Sequence, residues 1–386
     1  GVGPHGGVVD DAARKKEVTR KRNEDGQKSM WRYRDLLTIE DSIPIVSLGE
    51  GMTPLIKADR LGAELGLRNL YLKNDSMNPT NSFKDRVVSV AISWARAHGF
   101  ETIACASTGN LANSVAAYSA RAGLECFVFI PVDLEPAKIV RISVFDPNVV
   151  AVRGNYDEVN RLCSQLVEST PWAFCNINIR PFYAEGSKTV TFETVEQLGW
   201  KLPDEIIIPI ASGCQFVRHR QAVRELMDFG LVKEDKVPAF TGAQALGCSP
   251  VYNAFNSDTP ERVMPVKPDT IARSIAIGNP SDGMYVNRIA LETGGTVAAV
   301  TGQDIGAAVR LLARPEGVSP APAGGVTAAG RAKLARAGRW KGDETIVAYV
   351  TGHGLKTADV LASVDGHAKR VEIEPTLKSF REKVNI

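Results

Sequence analysis

Asn78-Pro79-Thr80-Asn81-Ser82-Phe83-Lys84-Asp85-Arg86 gathers an amine, hydroxyls and a carboxylate into one short stretch. It lies between a strand-like run, Leu70-Tyr71-Leu72, and a helical run from Val87 to His98. Pro79 and Asn81 punctuate a turn, and Ser82 is placed to cap the helix that follows. Lys84 then falls in the first helical turn, beside unpaired backbone N–H groups and the positive end of the helix dipole. A cation gains nothing there. A lysine with a depressed pKa, or one condensed with an aldehyde, suits the position better. Taken alone, Lys84 would read as a solvated lysine, and other polar clusters of the chain weigh against that.

Three such clusters follow apolar runs: Ser107-Thr108-Gly109-Asn110, Ala211-Ser212-Gly213-Cys214-Gln215 and Thr351-Gly352-His353-Gly354. The second leads into a helix over Arg218 to Met227 and exposes several N–H groups at a helix start, which suits a phosphate. A tight turn with no ligand is the alternative reading, and the Gly-Lys-Ser/Thr ending of a nucleoside-triphosphate P-loop is missing. The first cluster suits a carboxylate, a phosphate or a phenolic oxygen, or else caps its helix through Ser107 or Thr108. Thr351 ends a strand beside glycines, where a ligand can approach the backbone closely. Combined with Lys84, these clusters supply a Schiff-base amine, a phosphate cradle, an amide for a phenolate and a hydroxyl for a ring nitrogen. Those are the attachment points of pyridoxal 5′-phosphate.

The elements that must position these groups alternate. Strand candidates are Thr102 to Cys105, Cys126 to Ile130, Val149 to Val152, Glu205 to Ile210, Ala239 to Gly242 and Thr345 to Val350. Amphipathic runs over Leu111 to Ala122, Asp157 to Glu168 and Lys188 to Leu198 lie between them. Alternation of this kind predicts an α/β fold with parallel sheets. In such sheets ligands collect beyond the carboxyl ends of strands, which is where the three clusters fall. A chain of 386 residues has room for two domains. Its 44% hydrophobic and 23% charged content is that of a soluble globular protein.

A net charge of +2 with no basic block in the body argues against nucleic acid as a partner. No apolar run reaches the length of a membrane span, and no signal-like segment follows the early charges, so a cytoplasmic protein is expected. Cys105, Cys126, Cys163, Cys175, Cys214 and Cys248 form no Cys-x-x-Cys pair, and the histidines are scattered. Reduced thiols and no metal site are expected. Residues 1–29, glycine-rich and then strongly charged, read as a disordered tail.

From about Trp31 to Lys356 the chain resembles the threonine synthases among the fold-type II (β-family) pyridoxal-phosphate enzymes. The resemblance rests on Gly49-Glu50-Gly51-Met52-Thr53-Pro54-Leu55, on the Asn78 to Arg86 stretch and on Ala106-Ser107-Thr108-Gly109-Asn110. It continues through Arg180-Pro181-Phe182-Tyr183-Ala184-Glu185-Gly186-Ser187-Lys188-Thr189, Gly242-Ala243-Gln244, Ala276-Ile277-Gly278-Asn279-Pro280 and Thr351 to Lys356. It implies a two-domain, tryptophan synthase β-like fold. Residues 30–66 and 179–386 would form the larger, cofactor-binding domain and 67–178 the smaller one.

The resemblance further implies that Lys84 carries the Schiff base and serves as acid and base, with Phe83 beside the cofactor and Asn110 on its O3′. Ala211, Ser212, Gly213, Cys214 and Gln215 would hold its phosphate, and Thr351 would face the pyridine nitrogen. The implied reaction turns O-phospho-L-homoserine and water into L-threonine and phosphate, with Arg180, Lys188, Ser107, Thr108 and Asn178 as candidates for the substrate. A homodimer is the family habit. The chain departs from the family pattern at Cys214 and the residues after it, at Ser319-Pro320-Ala321-Pro322 and at His353. A relative acting on another activated amino acid is the alternative these departures allow.

Overall fold

Apolar runs rich in Ile, Val and Ala become the strands of two sheets in the computed structural model, which describes residues 18–107, 109–132, 134, 136–154, 156–358, 360 and 371–384. In chain order the strands are β1 (Leu55–Lys57), β2 (Asn69–Asn74), β3 (Thr102–Ala106), β4 (Glu125–Pro131), β5 (Asn148–Val152), β6 (Ala173–Phe174), β7 (Glu205–Pro209), β8 (Ala239–Ala245), β9 (Val297–Val300) and β10 (Thr345–Val350). The larger sheet has the order β1-β2-β10-β7-β8-β9, and the smaller β5-β4-β3-β6. Every pairing is parallel except that of β1 with β2. Strands β3, β7 and β9 are buried along their whole length. Helices cover both faces of such sheets, so past their first residues these strands read as near-continuous apolar runs. At the edge, β5 keeps exposed positions.

Register decides where the strand ends fall. β10 pairs with β2 from Thr345 opposite Asn69 to Val350 opposite Asn74, and with β7 from Ile346 opposite Glu205. The carboxyl ends of β2, β10 and β7 therefore lie side by side. The turns after them carry the Lys84 stretch, Thr351 and the Ala211–Gln215 cluster to one rim.

Two expectations need correcting. β2 belongs to the larger sheet, so the smaller unit expected over 67–178 loses its first strand, and its sheet is built from strands within 102–174. Residues 1–17 lie outside the described residues, but 18–29 are packed, not disordered. Val18 is buried, Arg20–Glu24 is helical, Arg20 Nε donates to the Leu231 carbonyl at 2.7 Å, and Trp200 Nε1 donates to Glu24 Oε1 at 2.6 Å. Charged side chains there have fixed partners that composition does not reveal.

The helix Pro322–Arg336 lies against β7, β8, β9 and β10, and all its residues from Pro322 to Ala332 are buried. Alanine and glycine let it approach that closely: a Cβ on Gly330 would come 3.1 Å from Ala243 Cβ. A helix buried all round has no amphipathic stripe to betray it.

The helix Lys84–Ala97 is pinned by an ion cluster with no solvent access. Arg86 Nε and Nη2 bond Asp75 at 2.7 and 2.8 Å, and Nη1 and Nη2 bond Glu193 at 2.8 and 2.9 Å. Lys73 Nζ bonds Glu193 as well, together with the Thr53 carbonyl at 2.7 Å and Gln197 Oε1 at 2.8 Å. Two cations face two carboxylates, so the cluster is neutral as a whole. Burial pushes the Glu193 carboxyl up, but Arg86 and Lys73 outweigh it and hold it at about 2. Glu193→Gln should therefore cost about 3–5 kcal/mol in denaturant unfolding by leaving a buried positive charge uncompensated, and a loss below about 1 kcal/mol would count against this account. Because the folded pKa lies below the unfolded one, the stability due to Glu193 is present above the unfolded carboxylate range and is lost as pH falls towards about 2. Unfolding as a function of acid, compared with the Gln variant, measures this.

Candidate active site

Lys84 is the first residue of its helix, whose N-cap is Phe83 with no side-chain cap. Ser82, expected to cap it, is buried instead, and its hydroxyl has no partner among the described residues. What fixes this turn is pairing with the end of β10. Phe83 N donates to the Thr351 carbonyl at 2.9 Å, and His353 N donates to the Asn81 carbonyl at 3.1 Å. Ser82 and Gly352 form an antiparallel bridge. Asp85 faces away from the cavity and accepts from Thr80 N, Thr80 Oγ1 and Ser114 Oγ at 2.6–2.7 Å. Burial raises its carboxyl to about 6.

Lys84 Nζ lies 2.7 Å from Tyr183 Oη. Burial pushes the amine below the ordinary lysine range, and only Cys214 pulls weakly the other way. No carboxylate bonds the amine among the described residues. It opens on a cavity of about 480 Å³ lined by Phe83, Ser107, Asn110, Ala211 to Phe216 and Thr351. The clusters at the ends of β2, β3, β7 and β10 therefore converge, as the rule for parallel sheets requires.

In the Ala211–Gln215 cluster, Gly213 has φ +95°, and a Cβ there would come within 2.9–3.0 Å of Val286 and Asp282. Glycine is needed for both reasons. The helix Cys214–Asp228 that starts here has no side-chain cap, so its first-turn N–H groups lie open to an anion. Gln215 Nε2 lies 3.2 Å from His219 Nε2, and His219 Nδ1 lies 2.7 Å from Thr191 Oγ1. Burial lowers His219 to about 3, so the ring is neutral and braces the turn. At the end of β3, Ser107 Oγ accepts from Gly109 N and Ala112 N, both at 3.2 Å, so it caps its helix while lining the cavity. Thr108 lies outside the described residues.

Arg180 lines the cavity and pairs with Asp282 at 2.6 Å and Ser281 Oγ at 3.0 Å. Two other candidates for the substrate do not reach it. Lys188 is buried and bonds Glu185 at 2.7 Å, Glu225 at 3.0 Å and the Leu36 carbonyl at 2.9 Å. Next to Ser187, which lines the cavity, it points instead into this ion cluster. Asn178 accepts from Phe174 N at 2.7 Å and donates to the Trp172 carbonyl at 3.0 Å, closing the turn after β6. Sequence reasoning missed Tyr183, Arg141, Arg273 and Lys356, all of which line the cavity. Only Tyr183 left a signal, its spacing of three from Arg180 on one short helix. Burial lowers Lys356 to about 8, and its Nζ donates to the Thr80 carbonyl at 2.6 Å.

Among the described residues, no cluster of His, Cys, Asp or Glu is placed to hold a metal, and no helix is long and apolar enough to cross a membrane. The Lys188 placement is checkable. Lys188→Met should destabilise the fold by about 3 kcal/mol or more, since Glu185 and Glu225 lose their shared cation. The folded fraction should keep its affinity for an anionic substrate, and a selective rise in KM at unchanged stability would restore Lys188 to the site.

Residues 46–352 match the family described as pyridoxal-phosphate dependent enzyme. The threonine synthase of Methanocaldococcus jannaschii is 37% identical over 368 residues, covering 95% of this chain and 87% of the relative. That of Methanosarcina acetivorans is 36% identical, covering 92% and 86%. Among solved structures, threonine deaminase isoform 2 from Solanum lycopersicum superposes with a TM-score of 0.67 at 21% identity, over 80% of this chain and 82% of that one. A fungal L-serine ammonia-lyase from Rhizomucor miehei gives 0.68 at 18% identity, over 83% and 100%. A lysine amine with no carboxylate bonded to it among the described residues, a glycine turn at an uncapped helix start and sequence likeness along nearly the whole chain agree: this chain belongs to the threonine synthase family of fold-type II pyridoxal-phosphate-dependent lyases.

Proposed function

We propose that the chain converts O-phospho-L-homoserine and water into L-threonine and phosphate, with Lys84 as the amine that holds pyridoxal 5′-phosphate and moves protons. The observation that carries this reading is the charge of the cavity. Lys84, Arg141, Arg180, Arg273 and Lys356 line it and, among the described residues, no aspartate or glutamate does. Such a wall suits two phosphate groups, one on the cofactor and one on the substrate. The name shared by the relatives supplies the reaction.

The residues present fit the cofactor. Lys84 is a half-buried amine pushed below the ordinary lysine range, which suits condensation with an aldehyde. The Ala211–Gln215 turn, with glycine where a Cβ would clash and with uncapped N–H groups, suits its phosphate. Asn110, Phe83 and Thr351 are assigned to its ring. When bound, the group supplies an electron sink for carbon–hydrogen cleavage next to the amino-acid nitrogen. Lys84 takes and returns the protons, which burial favours by lowering the amine from the ordinary lysine range. Arg180 and Ser107 are assigned to the substrate phosphate, and Arg180 would exchange Asp282 for it, one anion for another. Water must be kept out until the last step, and closure of the smaller sheet over the cavity would do so. A homodimer in the cytoplasm belongs to the same reading.

The test is product analysis with the cofactor-loaded protein. Phosphate and L-threonine should form in equal amounts from O-phospho-L-homoserine, and Lys84→Ala should lower the rate by roughly 10²–10⁴-fold. A loaded protein that binds the substrate yet releases neither product would overturn the reaction while leaving the cofactor in place.

A further inference from the structure

We propose that Tyr183 is a second catalytic residue, the two-way hydrogen-bond partner of Lys84: its hydroxyl donates to the neutral amine and accepts from the same nitrogen once that carries a proton. The inference rests on the assignment of Lys84 under the proposed function and goes beyond it. Nζ and Oη are 2.7 Å apart inside the cavity wall. The rings of Phe83 and Tyr183 lie 5.6 and 5.4 Å from Nζ.

Backbone packing sets this distance. Gly186, at the end of the helix Arg180–Glu185, lies so close to the Lys84 helix that a Cβ on it would sit 2.2 Å from the Arg86 carbonyl. Phe182 stacks on Trp94 with centroids 3.9 Å apart, tying the same two helices together. The pair is therefore held by close backbone approach and by an aromatic stack.

The chemistry singles out a phenol. A proton-transfer amine alternates between needing a donor and needing an acceptor, and a hydroxyl can be either by rotating its O–H. No proton enters or leaves Tyr183. The proton taken from substrate carbon stays on Lys84 nitrogen until it is returned. Burial raises the Tyr183 hydroxyl well above its usual range and so keeps it protonated. The other groups around the amine offer no substitute. Cys214 is a half-buried thiol, with Asp282, Arg218 and Arg180 around it, and Asp85 is turned to Thr80 and Ser114.

Tyr183→Phe keeps the ring and removes the partner. A hydrogen bond to a charged group is worth more than one to a neutral group, so the variant loses more in the protonated amine than in the free one. Two readouts should move. Threonine formation should fall by roughly 10–100-fold. The pH midpoint for capture of pyridoxal 5′-phosphate by Lys84, followed by visible absorbance and borohydride trapping, should move down by about one unit. A merely structural tyrosine would leave that midpoint where it is. An unchanged midpoint overturns the proposal even if activity falls. Cofactor capture equal to wild type in Lys84→Ala would overturn the Lys84 assignment itself, which separates the two failures. If Tyr183→Phe does not fold, 3-fluorotyrosine at position 183 preserves shape and should move the midpoint in the same direction by less, with no movement counting against the proposal.

Discussion

Arg86 holds the centre of this fold. Its guanidinium carries bidentate bonds to Asp75 and Glu193 where no water reaches, and Lys73 shares Glu193 from the neighbouring strand. Five segments meet there: the stretch around Thr53, β2, the turn after it, the Lys84 helix and the helix Thr189–Gln197. Taking such charges out of water is costly, and a buried cluster of this kind is tolerated only when every charge is matched. Its yield here is geometric. Arg86 follows Lys84 by two residues on the same helix, so an interaction outside the cavity sets where the Lys84 amine stands.

Charge is thus sorted between two places. Behind the helix, cations and carboxylates are paired one for one, with Glu193 held strongly acidic by its partners. In front of it, the wall carries cations and no carboxylate among the described residues. Arg180, bonded to Asp282 just outside the wall, marks the border between the two regimes. A cavity arranged this way has positive potential to offer anionic groups, and burial pushes the amine inside it below the ordinary lysine range. Tyr183 adds a partner that tolerates either protonation state.

Small residues do the remaining positioning. Gly213 allows the Ala211–Gln215 turn, Gly186 lets the Tyr183 helix touch the Lys84 helix, and Gly330 lets a buried helix lie on the larger sheet. A side chain at any of these positions would push apart two elements that share the site.

The sequence by itself determined the fold class and much of the rim. Runs such as Ile206 to Ile210 and Ile346 to Val350 are apolar because both faces of their sheet are covered. Clusters after them mark strand ends because parallel sheets bind ligands there. Lys84, Asn110, Gly213 and Thr351 were legible for that reason, since local order in the chain places them at strand ends. Short or alanine-rich pieces such as β6, β9 and the helix Pro322–Arg336 carry too little pattern to read. Only the tertiary structure decided which charges face the cavity. Lys188 and Arg180 lie eight residues apart in one motif, yet Glu185 and Glu225 draw the first into the core while the second reaches the cavity. Arg141, Arg273 and Lys356 come from segments far apart in the chain, and Tyr183 meets Lys84 across 99 positions. Pairing at that range is fixed by sheet register and close helix packing, which leave no local trace in the order of residues.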